Sequence, residues 1–209
     1  DPYPAVLRRG QRREARIGLR LRHRAAGLRG AAALKFLWED ALLPLALAME
    51  QPLDAAIDAF APDVLVVDQQ AVGGAALARR RGLTWATSAT TSAEFAAPFE
   101  HLPKVGEWVT TELVELQRRF GVPEDLARQG DLRLSDRLVI AFTSAALVGD
   151  VTPFGDQVAF VGPSTHALAE TAPFPFDWLD PGRRHVLVSL GTVNQSVGER
   201  FYRAAVEAV

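Results

Sequence analysis

Residues 61–70 read APDVLVVDQQ, and this stretch decides the fold class. Pro62 and Asp63 interrupt what precedes, Val64 to Val67 form an unbroken aliphatic run, and Asp68 ends it. A continuous apolar run of strand length is the pattern of a strand buried on both faces, as in parallel sheets. Downstream, Gly73 and Gly74 follow a short loop, AALARRRG (75–82) reads as a helix stopped by Gly82, and LTWAT (83–87) is β-rich. Val64 to Thr87 is therefore expected to be a β-α-β unit with parallel strands and a right-handed crossover. In open α/β sheets, ligands and catalytic groups gather outside the carboxyl ends of the strands, which puts Asp68 on the functional rim.

Outward from that unit, residues 31–60 are helical in composition. Pro44 and Pro52 are expected to divide them, and Leu53, Ile57 and Phe60 are expected to share a sheet-facing stripe. Leu113, Leu116 and Phe120 mark a later helix, Pro123 suits the first turn of another reaching Gln129, and Arg137–Ser144 and Val158–Gly162 read as strands. Residues 163–181 contain Pro163, Pro173, Pro175 and Pro181 with little periodicity, the texture of an interdomain linker. Beyond it, HVLVSLGT (His185–Thr192) reads as a strand, with Val197, Phe201, Ala204 and Ala208 on one helix face. The expected organisation is a first domain over 1–162, a linker over 163–181, and the start of a second domain over 182–209. The opening DPYPAVLRRG has neither an initiator Met nor a strand, so a first strand is expected upstream.

The 209 residues are 48% hydrophobic, ample for a packed core. No apolar run long enough to span a membrane and no signal-peptide pattern occurs, and there is no cysteine, so the expectation is a cytoplasmic protein without disulfides or thiolate metal sites. The net charge of −2 draws the chain to no nucleic acid. Ten basic residues from Arg8 to Lys35 face only Asp1 and Glu14. They form either a phosphate-binding patch or a solvated helix face, and the lack of interleaved aromatics favours the latter.

No dinucleotide-binding or P-loop glycine pattern is present, and Leu187 replaces the first glycine that a nucleophile elbow around Ser189 would need. His23, His101, His166 and His185 lie singly, so no metal site is expected. Asp68 alone reads either as a catalytic carboxylate or as the N-cap of the following helix. Ser88, Thr90, Thr91 and Ser92 either line a pocket or cap a helix at Glu94. Trp38, Trp85, Trp108 and Trp178 suit core or linker packing better than sugar platforms. An acid on one rim and the small SLGT turn on another suggest group transfer between two bound molecules.

Four segments in order carry a resemblance: PDVLVVDQQAVGGAALARRRGLTWA (62–86), FVGP (160–163), DWLDP (177–181) and HVLVSLGTVNQ (185–195). From about Leu53 to Val209 the chain resembles inverting GT-B glycosyltransferases, particularly the actinomycete enzymes that glycosylate macrolide and enediyne natural products. The resemblance implies two Rossmann-like domains, an acceptor-binding one and a nucleotide-sugar-binding one. It implies that Asp68 orients a histidine base, expected in a GH turn upstream because none of the four histidines here is so placed. Gly191, Thr192 and Asn194 would hold the donor diphosphate, and Gln69, Gln70, Ser88, Thr90 and Phe95 would line the acceptor site. The implied substrates are a nucleoside diphosphate sugar and a hydrophobic aglycone, with no cofactor beyond the co-substrate and no nucleic-acid or membrane partner. A homodimer and an auxiliary protein are left open. A glycosyltransferase-like binding protein without turnover and a nucleic-acid-binding protein using the arginine-rich opening stand as alternatives.

Overall fold

The computed structural model describes residues 27–91, 95, 99, 102–164, 175–190 and 198–208. The chain divides into two compact units, Asp1–Ser164 and Thr165–Val209. The first is an α/β unit. Helix α1 (Gly30–Phe36), a π-helical turn (Leu37–Leu42) and helix α2 (Leu43–Phe60) run on without interruption, and a three-residue link leads to strand β1 (Val64–Asp68). Helix α3 (Val72–Arg81), β2 (Thr84–Ala89), α4 (Pro103–Arg119), α5 (Glu124–Ala127), β3 (Val139–Ala141), α6 (Ala145–Val148) and β4 (Val158–Phe160) follow. The four strands are all parallel and lie in the order β1-β2-β3-β4. The architecture is Rossmann-like, with the β-α-β unit at β1-α3-β2.

The two prolines expected to divide residues 31–60 do not. Pro44 sits at the start of α2, directly after the π turn, where Leu43 N–H bonds to Trp38 O five residues back. A proline ring collides with the carbonyl four residues earlier, here Asp40, and a wider turn relieves that collision without ending the helix. Pro52 is accommodated inside α2. On the expected stripe Ile57 is buried and Leu53 half-buried, but Phe60, the last helical residue, is exposed. The chain then leaves the helix through Ala61 in the left-handed region, with φ of 50°.

Helix α3 is buried along Val72 to Ala78, and its two glycines explain how it fits. A Cβ on Gly73 would stand 2.7 Å from Ala46 O and 2.9 Å from Ala46 Cα, so α2 and α3 cross backbone to backbone. A Cβ on Gly74 would meet Val67 Cγ1 at 3.0 Å, so the same helix lies close on β1. Gly82, at φ of 64°, closes α3 as its spacing predicts. The last turn carries three arginines. Arg80 pairs with Glu50 at 2.9 Å and Asp54 at 2.8 Å, Arg81 with Asp54 and with Asp58 at 2.6 Å, and Arg79 donates to Gln117 Oε1 at 2.7 Å and to the carbonyls of Leu126 and Gln129. These bonds tie α3 to α2 and to the α4–α5 connection.

Strand β1 departs from its expected burial on both faces. Register pairs Val64 with Thr84, Val66 with Ala86 and Asp68 with Ser88, so these residues share one face. The helices gather on the other, where Val67 and Trp85 join the main core with Trp38, Ala46, Leu77, Leu113, Leu116 and Phe120. Val64 and Val66 are 53% and 68% exposed because β1 is the edge strand of the described sheet and no described element covers their face. A second cluster, on the same face of the sheet but toward β3 and β4, packs Phe95, Phe154 and Phe160 edge to face, with centroids 5.3–6.1 Å apart, over Val139 and Ala141. Trp38 and Trp85 are core residues, Trp108 is half-buried and Trp178 exposed.

The second unit contains a 3₁₀ turn (Phe176–Trp178) and helix α7 (Glu199–Glu207) among its described residues. Of the strand expected over His185–Thr192, Gly191 and Thr192 lie outside the described residues, and 185–190 pair with no strand among them. A strand exists through its ladder, and the described residues of this unit offer no neighbour. Of the expected helix face, Val197 lies outside the described residues, and Phe201, Ala204 and Ala208 are exposed. One local link is well made: Tyr202 Oη accepts from Leu190 N–H at 2.9 Å, and Gly198 leaves room for the tyrosine ring. Among the described residues no helix is long and apolar enough to cross a membrane.

Candidate functional site

The parallel register puts the carboxyl ends of β1 and β2 side by side, Asp68 opposite Ser88. The chain turns sharply after Asp68: Ala71 N–H bonds to Asp68 O at 2.9 Å, and Gln70 N–H donates to Asp68 Oδ1 at 2.8 Å. This is an Asx turn. Asp68 is therefore not the N-cap of α3, whose cap is Ala71, with no side-chain bond to the helix. The other carboxylate oxygen, Oδ2, accepts from Thr90 Oγ1 at 2.8 Å. Both donors are neutral, and among the described residues no cation pairs with the half-buried Asp68.

The neighbouring residues complete the rim. Gln69 is 5% exposed, its N–H donates to Ser88 O at 3.1 Å, and its Oε1 accepts from Thr91 N–H at 3.1 Å. Gln70 is exposed, with Nε2 at 3.5 Å from Thr91 Oγ1. Asp68, Gln69, Gln70, Ser88 and Thr90, singled out from sequence, thus lie together. Phe95 is different: it is 3% exposed and its ring is packed between Phe154 and Phe160, so it is a core residue that offers no surface at the rim.

Gly191, Thr192 and Asn194 lie outside the described residues, as do Ser92, Glu94, His23, His101, His166 and the arginines from Arg8 to Arg24. His185 is exposed, with Nε2 2.8 Å from Asp180 O in the second unit. Among the described residues no group of three or more His, Cys, Asp or Glu side chains could hold a metal ion.

Sequence reasoning missed the buried hydroxyl of Thr143, just past the carboxyl end of β3, which has no hydrogen-bond partner among the described residues. The motif FTS resembles an ordinary strand exit, and nothing in it marks the hydroxyl. A separate cavity of about 310 Å³ opens at the amino end of β2, lined by Arg79, Trp85, Leu126, Asp131, Leu134 and Asp136 among others. It lies at the end of the strands opposite Asp68. Burial holds the Arg79 guanidinium below its ordinary pKa, while Asp136 and Asp131 act in the other direction.

No protein-family model matches this chain, and no curated protein matches it.

Proposed function

We propose that this chain belongs to an inverting, GT-B-type glycosyltransferase that moves a sugar from a nucleoside diphosphate to a hydroxyl of a hydrophobic natural-product acceptor. The observation that carries the reading is the state of Asp68: a carboxylate at the carboxyl rim of a parallel β-α-β unit, held by neutral donors and free of any helix-capping duty. A carboxylate so held keeps its net negative charge available to a cationic or proton-donating partner.

In the proposed reaction Asp68 accepts a hydrogen bond from a histidine supplied upstream, fixes its tautomer and stabilises its charged form. The histidine removes the proton of the acceptor hydroxyl as that oxygen attacks the anomeric carbon. The carbon–oxygen bond to the diphosphate breaks on the opposite face, so configuration inverts and the nucleoside diphosphate leaves with the bonding electrons. Gly191 and Thr192, with Asn194, are proposed to receive that diphosphate through backbone N–H groups and a hydroxyl. Gln70, Ser88 and Thr90 border the acceptor side, with Phe95 behind them.

The test pairs a panel of nucleoside diphosphate sugars with hydrophobic hydroxylated acceptors and follows release of the nucleoside diphosphate, in the wild-type protein and in Asp68→Asn. Turnover that depends on Asp68 supports the reading. Turnover indifferent to Asp68→Asn removes the carboxylate from the mechanism, and tight sugar-nucleotide or aglycone binding without turnover favours a binding protein instead.

A further inference from the structure

Two consecutive residues leaving β1 are bonded to two consecutive residues leaving β2. Thr90 Oγ1 donates to Asp68 Oδ2 at 2.8 Å, and Thr91 N–H donates to Gln69 Oε1 at 3.1 Å. The bond from Gln69 N–H to Ser88 O carries the strand ladder one step past its end, so both pairs rest on a fixed backbone. Gln69 is buried, and its carboxamide holds the segment that carries Thr90.

The need for such an arrangement follows from the aspartate side chain itself. Its terminal torsion has a broad profile, so the carboxylate plane rotates easily unless both oxygens are held. The Asx turn holds Oδ1 through Gln70 N–H, on the same element as Asp68. Among the described residues Thr90 alone brings a donor to Oδ2, and it comes from the neighbouring strand. A threonine hydroxyl has one proton, so while it is given to Asp68 it cannot be given to a bound acceptor. Thr90 is exposed, so burial does not explain the bond.

We infer that Thr90 is a positioning residue that fixes the plane of the Asp68 carboxylate, with Gln69 anchoring Thr90 through the next residue's backbone. The inference rests on the catalytic reading of Asp68 but is tested apart from it. In the full chain, labelled with carbon-13 at the aspartate carboxyl carbons, the Asp68 resonance is identified by its loss in Asp68→Asn. Thr90→Val, which keeps the shape and removes the hydroxyl, should move that resonance, and Thr90→Ser should return it. Thr90→Ala serves the same purpose should the valine disturb the loop.

In the turnover assay Thr90→Val should lower kcat about tenfold to a hundredfold with KM nearly unchanged, the worth of one hydrogen bond to a charged group. Melting temperature should fall by no more than a few degrees, and Thr90→Ser should restore the rate. An Asp68 resonance that stays in place in both Thr90→Val and Thr90→Ala overturns the inference. Turnover lost in Asp68→Asn yet kept in Thr90→Val also overturns it, while leaving the role of Asp68 intact. A resonance that moves as expected, beside turnover indifferent to Asp68→Asn, sustains the positioning and overturns the glycosyl-transfer reading alone.

Discussion

The two ends of the β1-α3-β2 unit handle charge in opposite ways. At the back, the last turn of α3 presents Arg80 and Arg81 to Glu50, Asp54 and Asp58 of α2, so charge meets opposite charge. At the rim, among the described residues, Asp68 meets only the hydroxyl of Thr90 and the N–H of Gln70. Paired charges pin two helices and leave little field beyond themselves, whereas a carboxylate fixed by dipoles keeps its whole charge for something else. On the proposed function, the first end serves cohesion and the second encounter.

The contrast can be broken most severely at the rim. Asp68→Asn keeps the shape and removes the charge, and should lower turnover by about two to four powers of ten, the scale of losing a base-orienting carboxylate, with no matching loss in urea stability. At the back the largest effect is steric. Gly73→Val would drive a side chain into the Ala46 backbone, and urea denaturation should show about 3 kcal/mol of destabilisation, with residual activity tracking the folded fraction. Arg80→Ala removes one partner from two ion pairs and should cost about 1 kcal/mol by the same measurement, less at high salt.

The smallest effect is one of pH. For Asp54, desolvation acts to raise the pKa, but hydrogen bonds from Arg81 and Arg80 and their charges outweigh it and hold the carboxyl below its ordinary value. A depressed folded-state value contributes stability above the unfolded value, roughly 3.9, and that contribution is lost as pH falls below it. The melting temperature of wild type should therefore exceed that of Asp54→Asn by a constant margin near neutrality, and the margin should shrink below about pH 4. A margin that widens on acidification would contradict the direction of the shift.

Much of this unit was legible in the amino-acid order because local rules govern it. The aliphatic run, the glycine stop at Gly82 and the β-rich LTWAT stretch each place an element within a residue or two. What stayed hidden depends on neighbours that are distant in the chain. Whether Val64 and Val66 are covered depends on a further element on their side of the sheet, and an apolar run carries no mark of one. The two prolines that read as breaks were absorbed by a π turn and by the helix interior, a choice set by the packing of Trp38, Leu42 and Ala46. At the site, Asp68 could be picked out as an acid ending a strand. Its bond to Thr90, 22 residues later, exists only because the register sets residue 68 beside residue 88. Phe95 was read as an aromatic near a pocket, and its burial became visible only with Phe154 and Phe160 beside it.

The bare face of β1 also bears on how this protein behaves in a crowded solution. A short edge with two open valines is the sort of surface along which polypeptides zip together into insoluble stacks. Here it is bracketed by Pro62 and Asp63 before it and by Asp68 after it, an imino acid that cannot extend a ladder and two acids that repel their own kind. Asp68→Asn should therefore bring a greater tendency to precipitate, read by light scattering, as well as a slower reaction.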